Sequence, residues 1–404
     1  MSKTDRRSFL KYSALASGSL LLPNFLHGLS KVDQIKAIEG KILVIVQLSG
    51  GNDGLNTVVP FRNDLYYKAR PKLGLKKDEL IGLSEVAGLH RNLKEMAGLY
   101  DNGELAIINS VGYPNPNRSH FKSLDIWQTA SDANETLATG WLGRYLDAAC
   151  DSHCLAQHAA VELDDTLSIV MKGKVRKGLA FHNPTDLYNL SASPIIRKLG
   201  EDKGVDHDNP SLDFLHKTLI ETTQSVDYIY QNSKIYRSKK TYPDHQFGKG
   251  MKTIAELIGS GIDTKVYYIS LPGFDTHAYQ KYFQGELLKL YSKTMGAFCD
   301  DLKASNRFDD TVILTFSEFG RRVKQNASKG TDHGTANNVF LAGGGLSSKG
   351  ILNEMPDLAN LDDGDLIHKV DFRQVYATIL DKVLYVSSEK VLARKFEPIN
   401  FLKS

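Results

Sequence analysis

Carboxylates and histidines in this sequence stand just after apolar runs. Asp53 follows the run KILVIVQ and a turn of small residues, and the motifs GFDTH, SEFGR and TDHG repeat the arrangement later in the chain. Carboxylate oxygens and imidazole nitrogens together are ligands for zinc, manganese or iron. The sequence therefore predicts a site for one or two divalent metal ions, with the ligands Asp53, Asp275, His277, Glu318, Asp332 and His333.

Taken singly, none of these motifs is specific. Gly50 and Gly51 can form a turn that Asp53 merely caps, and an Asp-x-His or Asp-His-Gly sequence is common in surface loops. Their shared position after apolar runs favours a site, because most other histidines lie in polar segments.

The apolar runs before these motifs indicate buried strands. Continuous runs of this kind are typical of strands covered on both faces, as in parallel sheets. Such sheets bind their ligands beyond the carboxyl ends of the strands. We therefore expect GFDTH, SEFGR and the later GGG to lie at one edge of a sheet. The predicted strands are 41–47, 104–111, 265–271, 311–316 and 339–342.

Segments with helical spacing of apolar residues separate these strands. A helix over 92–102 joins the first two strands into a β-α-β unit, which favours a parallel sheet. The fold class is therefore α/β with a mostly parallel sheet, a small subsidiary β region between 158 and 182, and a polar, mostly helical insertion over about 185–245. Further helices are predicted over 141–149, 251–258, 285–304 and 372–384.

The composition is that of a globular protein without a strong charge bias. The chain has 404 residues, of which 50 are basic and 47 acidic, and a net charge of +3. This balance gives no argument for nucleic acid. The length suits one large α/β domain with insertions or two ordinary domains. Cys150, Cys154 and Cys299 leave an odd thiol and are interpreted as structural.

The segment 1–30 has the features of an export signal. Arg6 and Arg7 precede Phe9, Leu10 and Lys11, and a short apolar run rich in Ser, Ala and Gly follows. This order resembles a bacterial twin-arginine signal. The run is short and polar for a transmembrane helix. We expect a periplasmic or secreted protein that touches the membrane only if the signal segment is retained.

Ser119 lies where the loop YPNPNR meets a predicted helix. As a favoured N-cap residue, it can simply cap that helix. As a hydroxyl at a helix N-terminus, between Arg118 and His120, it can also act as a nucleophile or hold an anion. The local sequence favours the cap.

Together, the motifs GGNDGLN, RSHF, GFDTH, SEFGRR and TDHGTAN resemble an uncharacterised family of bacterial twin-arginine-exported proteins. Their order is similar to that of the alkaline phosphatase/sulfatase superfamily, and the resemblance covers essentially all of the chain after the signal. It implies one alkaline-phosphatase-like domain over 31–404 with three α/β/α layers. The family has no settled activity, so the resemblance implies the fold more firmly than the function.

The resemblance also implies two metal sites. Asp275, His277 and His333 match the ligands of one ion, and Asp53 and Glu318 match the carboxylates of the other. Two cations in such a site lower the pKa of a hydroxyl or water and stabilise an in-line displacement at phosphorus or sulfur.

The same resemblance implies roles in catalysis and substrate binding. Ser119 takes the nucleophile position, and His120 beside it can be a general acid or a ligand. Arg118 and Arg321 can neutralise an anionic substrate oxygen, and Asn52 is assigned with them to substrate binding.

This sequence departs from the superfamily pattern. Glu318 and Phe319 stand where an Asp-His pair is expected, so the second ion lacks an imidazole. Either Asp332 or another residue fills in, or only one ion binds tightly. The spacing in GFDTH is also tighter than usual. No Cys-x-Pro-x-Arg or Ser-x-Pro-x-Arg pattern surrounds Ser119, which argues against a formylglycine sulfatase.

These features predict an exported metal-dependent hydrolase of a phosphate, sulfate or related ester, acting on a small anionic ester or a glycan-linked substrate. The alternative is a non-catalytic envelope protein with at most one structural metal. A metal-free serine hydrolase is disfavoured, because Ser119 and His120 are adjacent in sequence and no G-x-S-x-G elbow is present. A Rossmann domain is disfavoured for want of G-x-G-x-x-G after the first strand. The sequence identifies no partner protein.

Overall fold

A central β-sheet organises the protein. The computed structural model describes residues 41–149, 155–194, 196 and 210–402. The strands are β1 (Ile42–Leu48), β2 (Val58–Val59), β3 (Leu80–Gly82), β4 (Gly88–His90), β5 (Leu105–Gly112), β6 (Ala160–Glu162), β7 (Leu179–Ala180), β8 (Val266–Leu271), β9 (Thr311–Phe316), β10 (Asn337–Ala342), β11 (Gly350–Ile351), β12 (Leu361–Asp362), β13 (Asp365–Leu366) and β14 (Val370–Asp371). The central sheet has the order β11-β5-β10-β9-β1-β8-β6-β7, and β14 also pairs with β5.

Most strands of this sheet run in the same direction as β1. β8 and β9 flank β1 in parallel register, with Gln47 opposite Ser270 on one side and Phe316 on the other. β6 and β7 extend the sheet in the same direction. All of β1 is buried, as expected for a strand that is covered on both faces. The carboxyl ends of β1, β8 and β9 form one edge, as predicted for GFDTH and SEFGR.

Strand β10 reverses this direction. It is antiparallel to both β9 and β5, so its carboxyl end lies at the opposite edge. A Cβ on Gly343 would stand 2.2 Å from the carbonyl of Thr311, the first residue of β9. The prediction that the GGG sequence reaches the ligand edge is wrong. The fully described connection 317–336 contains no helix, and antiparallel neighbours need no crossover helix.

Helices cover both faces of the sheet. They are α1 (Gly54–Thr57), α2 (Asp64–Ala69), α3 (Lys94–Asp101), α4 (His120–Thr129), α5 (Trp141–Ala149), α6 (Pro184–Ser191), α7 (Pro210–Asn232), α8 (Gln246–Gly259), α9 (Gln280–Ala304), α10 (Phe372–Lys382) and α11 (Ser388–Leu392). Side chains alternate between the two faces of a strand. Val44 and Val46 therefore join one core with α3, α8 and α9. Leu43 and Ile45 join the other with α4, α5 and α10. The three-layer α/β/α fold is confirmed.

The small subsidiary β region lies elsewhere than predicted. β6 and β7 join the central sheet through β8, and the run LSIVM forms a 3-10 turn, Ile169–Met171, instead of a strand. Without β6, the side of β8 that faces away from β1 would leave its backbone groups unpaired. Pairing with β6 satisfies these groups. The separate small sheets are β2-β4-β3 and β12-β13.

The predicted insertion contributes α6 and α7 in its described residues, so its helical character is confirmed there. The predicted signal, Cys150 and Cys154 lie outside the described residues. Cys299 is a buried free thiol, and burial raises its pKa to about 12, as suits a structural cysteine. Among the described residues, no helix has the length and apolar character needed to cross a membrane.

Candidate metal centre

The loops after β8 and β9 meet at the carboxyl edge of the sheet. The first carries Asp275 and His277, and the second carries His333. An isolated antiparallel β-bridge pairs Arg321 with His333, so the two ends of the second loop lie side by side. His120, the first residue of α4, reaches the same place, and its ring lies 4.3 Å from the ring of His333. Residues that are far apart in sequence thus form one cluster.

Asp275 is the centre of this cluster. Its Oδ1 lies 3.0 Å from Nε2 of His277 and 3.0 Å from Nε2 of His333. Nε2 of His120 is 3.5 Å away from the same oxygen, and the Nε2 atoms of His277 and His333 are 2.9 Å apart. The side chain of Asp275 is 48% exposed, so solvent and small molecules reach the cluster.

Each imidazole is held through its other ring nitrogen. The Nδ1 contacts are His120 to Glu318 Oε1 (2.9 Å), His277 to Asp332 Oδ1 (3.2 Å) and His333 to the carbonyl of Arg118 (2.8 Å). In the tautomer with the proton on Nδ1, each ring presents a lone pair on Nε2, as a metal ligand requires. Histidines that bind metals are held in the same way.

The donor atoms fit a divalent cation. Around a tetrahedral zinc with bonds of about 2.1 Å, neighbouring ligand atoms lie about 3.4 Å apart, close to the spacings in this cluster. Nε2 of His120 is buried and has no hydrogen-bond partner among the described residues. His120, Asp275 and His333 form a group with the spacing to hold a metal ion, and Nε2 of His277 lies beside this group, 3.0 Å from Asp275 Oδ1.

Neighbouring groups set the charge of Asp275 and the basicity of His120. Partial burial raises the pKa of Asp275, but hydrogen bonds from Arg321 and His333 act against it and bring the pKa down to about 2. The hydrogen bond to Glu318 raises the pKa of His120, in opposition to the effect of burial. Asp275 is therefore anionic at neutral pH, and Glu318 makes the His120 ring more basic.

Two predicted ligands, Glu318 and Asp332, contact the histidines that surround Asp275. Buried Glu318 accepts a hydrogen bond from the backbone N–H of Gly50 at 2.8 Å, in addition to its contact with His120. Asp332 accepts one from Asn326 at 3.2 Å. The structure brings both carboxylates to the cluster, where they orient imidazole rings.

Asp53 lies in a separate buried network. It caps α1 by accepting a hydrogen bond from the backbone N–H of Leu55 at 3.1 Å. Its other carboxylate oxygen forms a 2.5 Å ion pair with Arg70 and accepts a hydrogen bond from Gln280. Both charged groups are at most 1% exposed. The carboxylate assigned to a second ion is thus neutralised by a protein cation and does not join the cluster around Asp275.

Arg321 is enclosed by the loops that form the site. Its side chain is 0% exposed. It donates hydrogen bonds to the carbonyls of Gly51 (2.6 Å) and Thr331 (2.9 Å), and to Asp275 Oδ1 (2.7 Å). Arg321 therefore holds the loops together and is shielded from a substrate, in contrast to the role that the resemblance implies.

The other two residues assigned to substrate binding differ in accessibility. Asn52 is buried, and its amide bonds Thr57 at 3.0 Å. The side chain of Arg118 is 40% exposed and pairs with Asp363 (3.0 Å) and Asp365. Of the two arginines, only Arg118 can meet a substrate.

Ser119 occupies the N-cap position of α4 without using its side chain as a cap in the described structure. Its backbone N–H donates to the side-chain oxygen of Asn117 at 2.8 Å, and the residue is exposed. The sequence correctly predicted the helix start, but the hydroxyl stays accessible beside His120.

Phe319 occupies the position where the resemblance implies an imidazole. Its ring centre lies 4.8 Å from that of His120 and 4.9 Å from that of His333. A Cβ on Gly51, which has a φ of +75°, would stand 2.3 Å from this ring. Only glycine allows the loop after β1 to approach so closely. An apolar ring offers no ligand, so the described residues provide one candidate metal-binding cluster.

Arg70 and Gln280 were not predicted as site residues. Neither follows a predicted strand: Arg70 lies between the predicted strand 41–47 and the predicted helix 92–102, and Gln280 begins α9 five residues before its predicted start. The one available signal was Asp53 itself, because a carboxylate after a fully buried strand requires a partner.

A mostly parallel sheet with three histidines around one aspartate at its carboxyl edge defines an α/β protein with a candidate metal centre. The model of a family described as "Protein of unknown function (DUF1501)" matches residues 221–396. This segment includes every predicted ligand except Asp53, and it confirms the family resemblance. No functionally curated protein matches the sequence.

Solved structures with a similar course of the chain come from several bacteria. The C-terminal periplasmic domain of EcEptC from Escherichia coli shares 11% identity over 88% of this chain and 86% of its own, with a TM-score of 0.41. The PsFucS1 sulfatase from Pseudoalteromonas sp. shares 10% identity over 92% of this chain and 73% of its own, with a TM-score of 0.41. A protein in the alkaline phosphatase superfamily from Vibrio parahaemolyticus shares 10% identity over 88% of this chain and 69% of its own, with a TM-score of 0.35. Such distant likeness carries no residue roles.

Proposed function

We propose that the protein is an exported, metal-dependent hydrolase of a phosphate, sulfate or related ester. Asp275, His120, His277 and His333 hold the metal. The observation that carries the proposal is the approach of three Nε2 atoms to one carboxylate oxygen, while three other oxygens hold the opposite ring nitrogens.

The donor set favours one ion per chain. Asp53 pairs with Arg70, and Phe319 adds no donor, so a second set of ligands is incomplete. Three imidazoles and one carboxylate suit zinc, manganese or iron. Such an ion, when bound, polarises an oxygen of the phosphoryl or sulfuryl group and lowers the pKa of a nearby hydroxyl.

Ser119 is the proposed nucleophile. Its exposed hydroxyl stands at the N-terminus of α4, where backbone N–H groups and the helix dipole favour an anion. Attack by this hydroxyl on phosphorus or sulfur releases the alcohol, and water then frees the acid from Ser119. Arg118 is the accessible cation that can neutralise a substrate oxygen.

The second candidate function is a non-catalytic envelope protein with one structural metal. Two observations favour it: the apolar ring of Phe319 among the histidines, and the pairing of Asp53 with Arg70. In this case the metal stabilises the fold and Ser119 has no chemical role.

Metal analysis of protein purified without chelator, combined with a screen of chromogenic phosphate and sulfate esters, separates these candidates. We expect about one equivalent of metal and a turnover that Ser119→Ala abolishes without loss of metal. Bound metal without turnover supports the envelope protein. Absent metal, with Asp275→Ala changing neither stability nor activity, would contradict both candidates.

We also propose that 1–30 is a twin-arginine export signal and that 31–404 forms one periplasmic or secreted domain, with no nucleic-acid partner. The adjacent Arg6 and Arg7 before an apolar run support this. Replacing both arginines with lysine in an exported reporter fusion should retain the reporter in the cytoplasm, and unchanged export would contradict the proposal.

A further inference from the structure

A groove of about 670 Å³ extends from the metal cluster along α9. We call it the α9 groove. Its lining residues are His245, Gly273, Asp275, Thr276, His277, Ala278, Phe283, Glu286, Leu287 and Leu290. Two of the proposed ligands, Asp275 and His277, belong to this lining. The groove is therefore continuous with the proposed metal site.

One wall of the groove is an apolar stripe on α9. Phe283, Leu287 and Leu290 stand at positions i, i+4 and i+7, which places them on one face of the helix. Leu287 and Leu290 pack partly against the core, and Phe283 is 51% exposed. At 1.5 Å per residue the stripe is about 10 Å long. A stripe at this spacing normally faces an apolar partner.

The groove favours an uncharged occupant. Glu286 is its one acidic side chain beyond the metal cluster, and no lysine or arginine is among the described residues that line it. Tyr282 packs against Phe283 edge to face, with ring centres 5.3 Å apart, and adds apolar surface nearby. An additional anionic group would face Glu286 without a compensating cation.

We propose that the α9 groove binds the alcohol part of the ester and that this part is apolar, an alkyl chain or an aryl ring instead of a sugar or a second acid. The inference rests on the proposed function, because it places the acid part of the ester at the cluster. The continuity of groove and cluster makes the leaving alcohol the group that meets the stripe.

A series of n-alkylphosphonates, from methyl to octyl, tests this with the zinc-loaded protein. These compounds bind without being hydrolysed, so calorimetry measures binding without turnover. Each methylene that enters the groove should tighten binding up to about fourfold, until the chain outgrows the stripe. Equal affinity along the series would overturn the proposal for the groove, while binding of methylphosphonate would still support the metal site.

Phe283→Ser should reduce the dependence on chain length and leave methylphosphonate binding unchanged. Its exposed position lets the protein fold without the ring. Phe121→Ser is the matched control, because Phe121 is 89% exposed and lies outside the groove. A chain-length dependence that survives Phe283→Ser places the alkyl chain elsewhere and contradicts the proposal.

Two further outcomes separate the proposals. If no phosphonate binds the zinc-loaded protein, the proposed function fails. The groove is then probed alone with 1-butanol and 1-octanol, and tighter binding of octanol that Phe283→Ser removes supports an apolar site. If chain-length dependence appears only after residues 1–30 are removed, the occupant is the N-terminal segment of the chain, and the proposed substrate class is wrong.

Discussion

Two aspartates at the ends of neighbouring parallel strands have opposite surroundings. Asp53 follows β1 and is 1% exposed, in an ion pair with Arg70. Asp275 follows β8 and is 48% exposed, with imidazole nitrogens close to one of its oxygens. In sequence the two look alike, since each comes after a buried strand and a glycine-containing turn.

The difference lies in the neighbouring groups. Asp53 meets a fixed positive charge, so its charge is balanced inside the protein. Asp275 also accepts a hydrogen bond from Arg321. On its exposed side, however, the Nε2 atoms of His277 and His333 lie so close to Oδ1 that a proton or a metal ion must lie between them. Both carboxylates pair with an arginine, Asp53 with Arg70 and Asp275 with Arg321, so exposure and the surrounding imidazole nitrogens are what make Asp275 the ligand candidate.

Asp53→Asn should lower the free energy of unfolding by about 3–5 kcal/mol, because it leaves the buried guanidinium of Arg70 without its counter-charge. Chemical denaturation of the metal-free protein measures this. The double variant Asp53→Asn/Arg70→Met, which removes both charges, should recover at least half of the loss. A loss below about 1 kcal/mol, the usual value of an exposed ion pair, would show that Arg70 does not make Asp53 structural.

Asp275→Ala should weaken metal binding by more than about 100-fold, since loss of a direct ligand exceeds the 10–100-fold effect of losing a group that orients one. Competition with a chromogenic chelator measures the affinity. Asp53→Asn, assayed at a temperature where it stays folded, should bind metal as the native protein does. Equal losses in the two variants would remove the distinction between the two aspartates.

Glu162, at the end of β6, is a buried carboxylate that forms no ion pair within the described part of the chain. Burial raises its pKa from 4.5 to about 7, despite hydrogen bonds from Ser168. Between these pH values the folded protein keeps a proton that the unfolded chain releases, so the free energy of unfolding should fall by about 1 kcal/mol per pH unit as pH rises. Above pH 7, where Glu162 is ionised in the folded protein as well, the full destabilisation from burying its charge is present. Glu162→Gln should remove this slope, and an unchanged slope would assign it to other groups.

Asp332→Ala should weaken metal binding about tenfold, because Asp332 orients His277 without being a ligand. Asp300→Ala is the matched control, since both aspartates are 60% exposed and Asp300 lies on α9 away from the cluster. An effect of Asp332→Ala as large as that of Asp275→Ala would instead make Asp332 a ligand.

Local sequence patterns specified several strands of the sheet and part of the site. Apolar runs are local patterns, so β1, β8 and β9 were predicted to within one residue of their ends, whereas α1 and α2 were not predicted and α9 begins five residues before its predicted start. Strands of one direction must end at one edge, and this rule alone places Asp275 and Glu318 together. The motif TDHG added His333, whose Nε2 lies 3.0 Å from Asp275.

Contacts between distant parts of the chain determine which of the predicted groups lie together. The direction of β10 depends on the course of 317–336, and the partner of Asp53 comes from a segment with no motif of its own. The contact between Gly50 and Glu318 joins residues 268 positions apart. Charge balance, ring orientation and the open face of α9 depend on such distant neighbours, and local sequence patterns do not specify them.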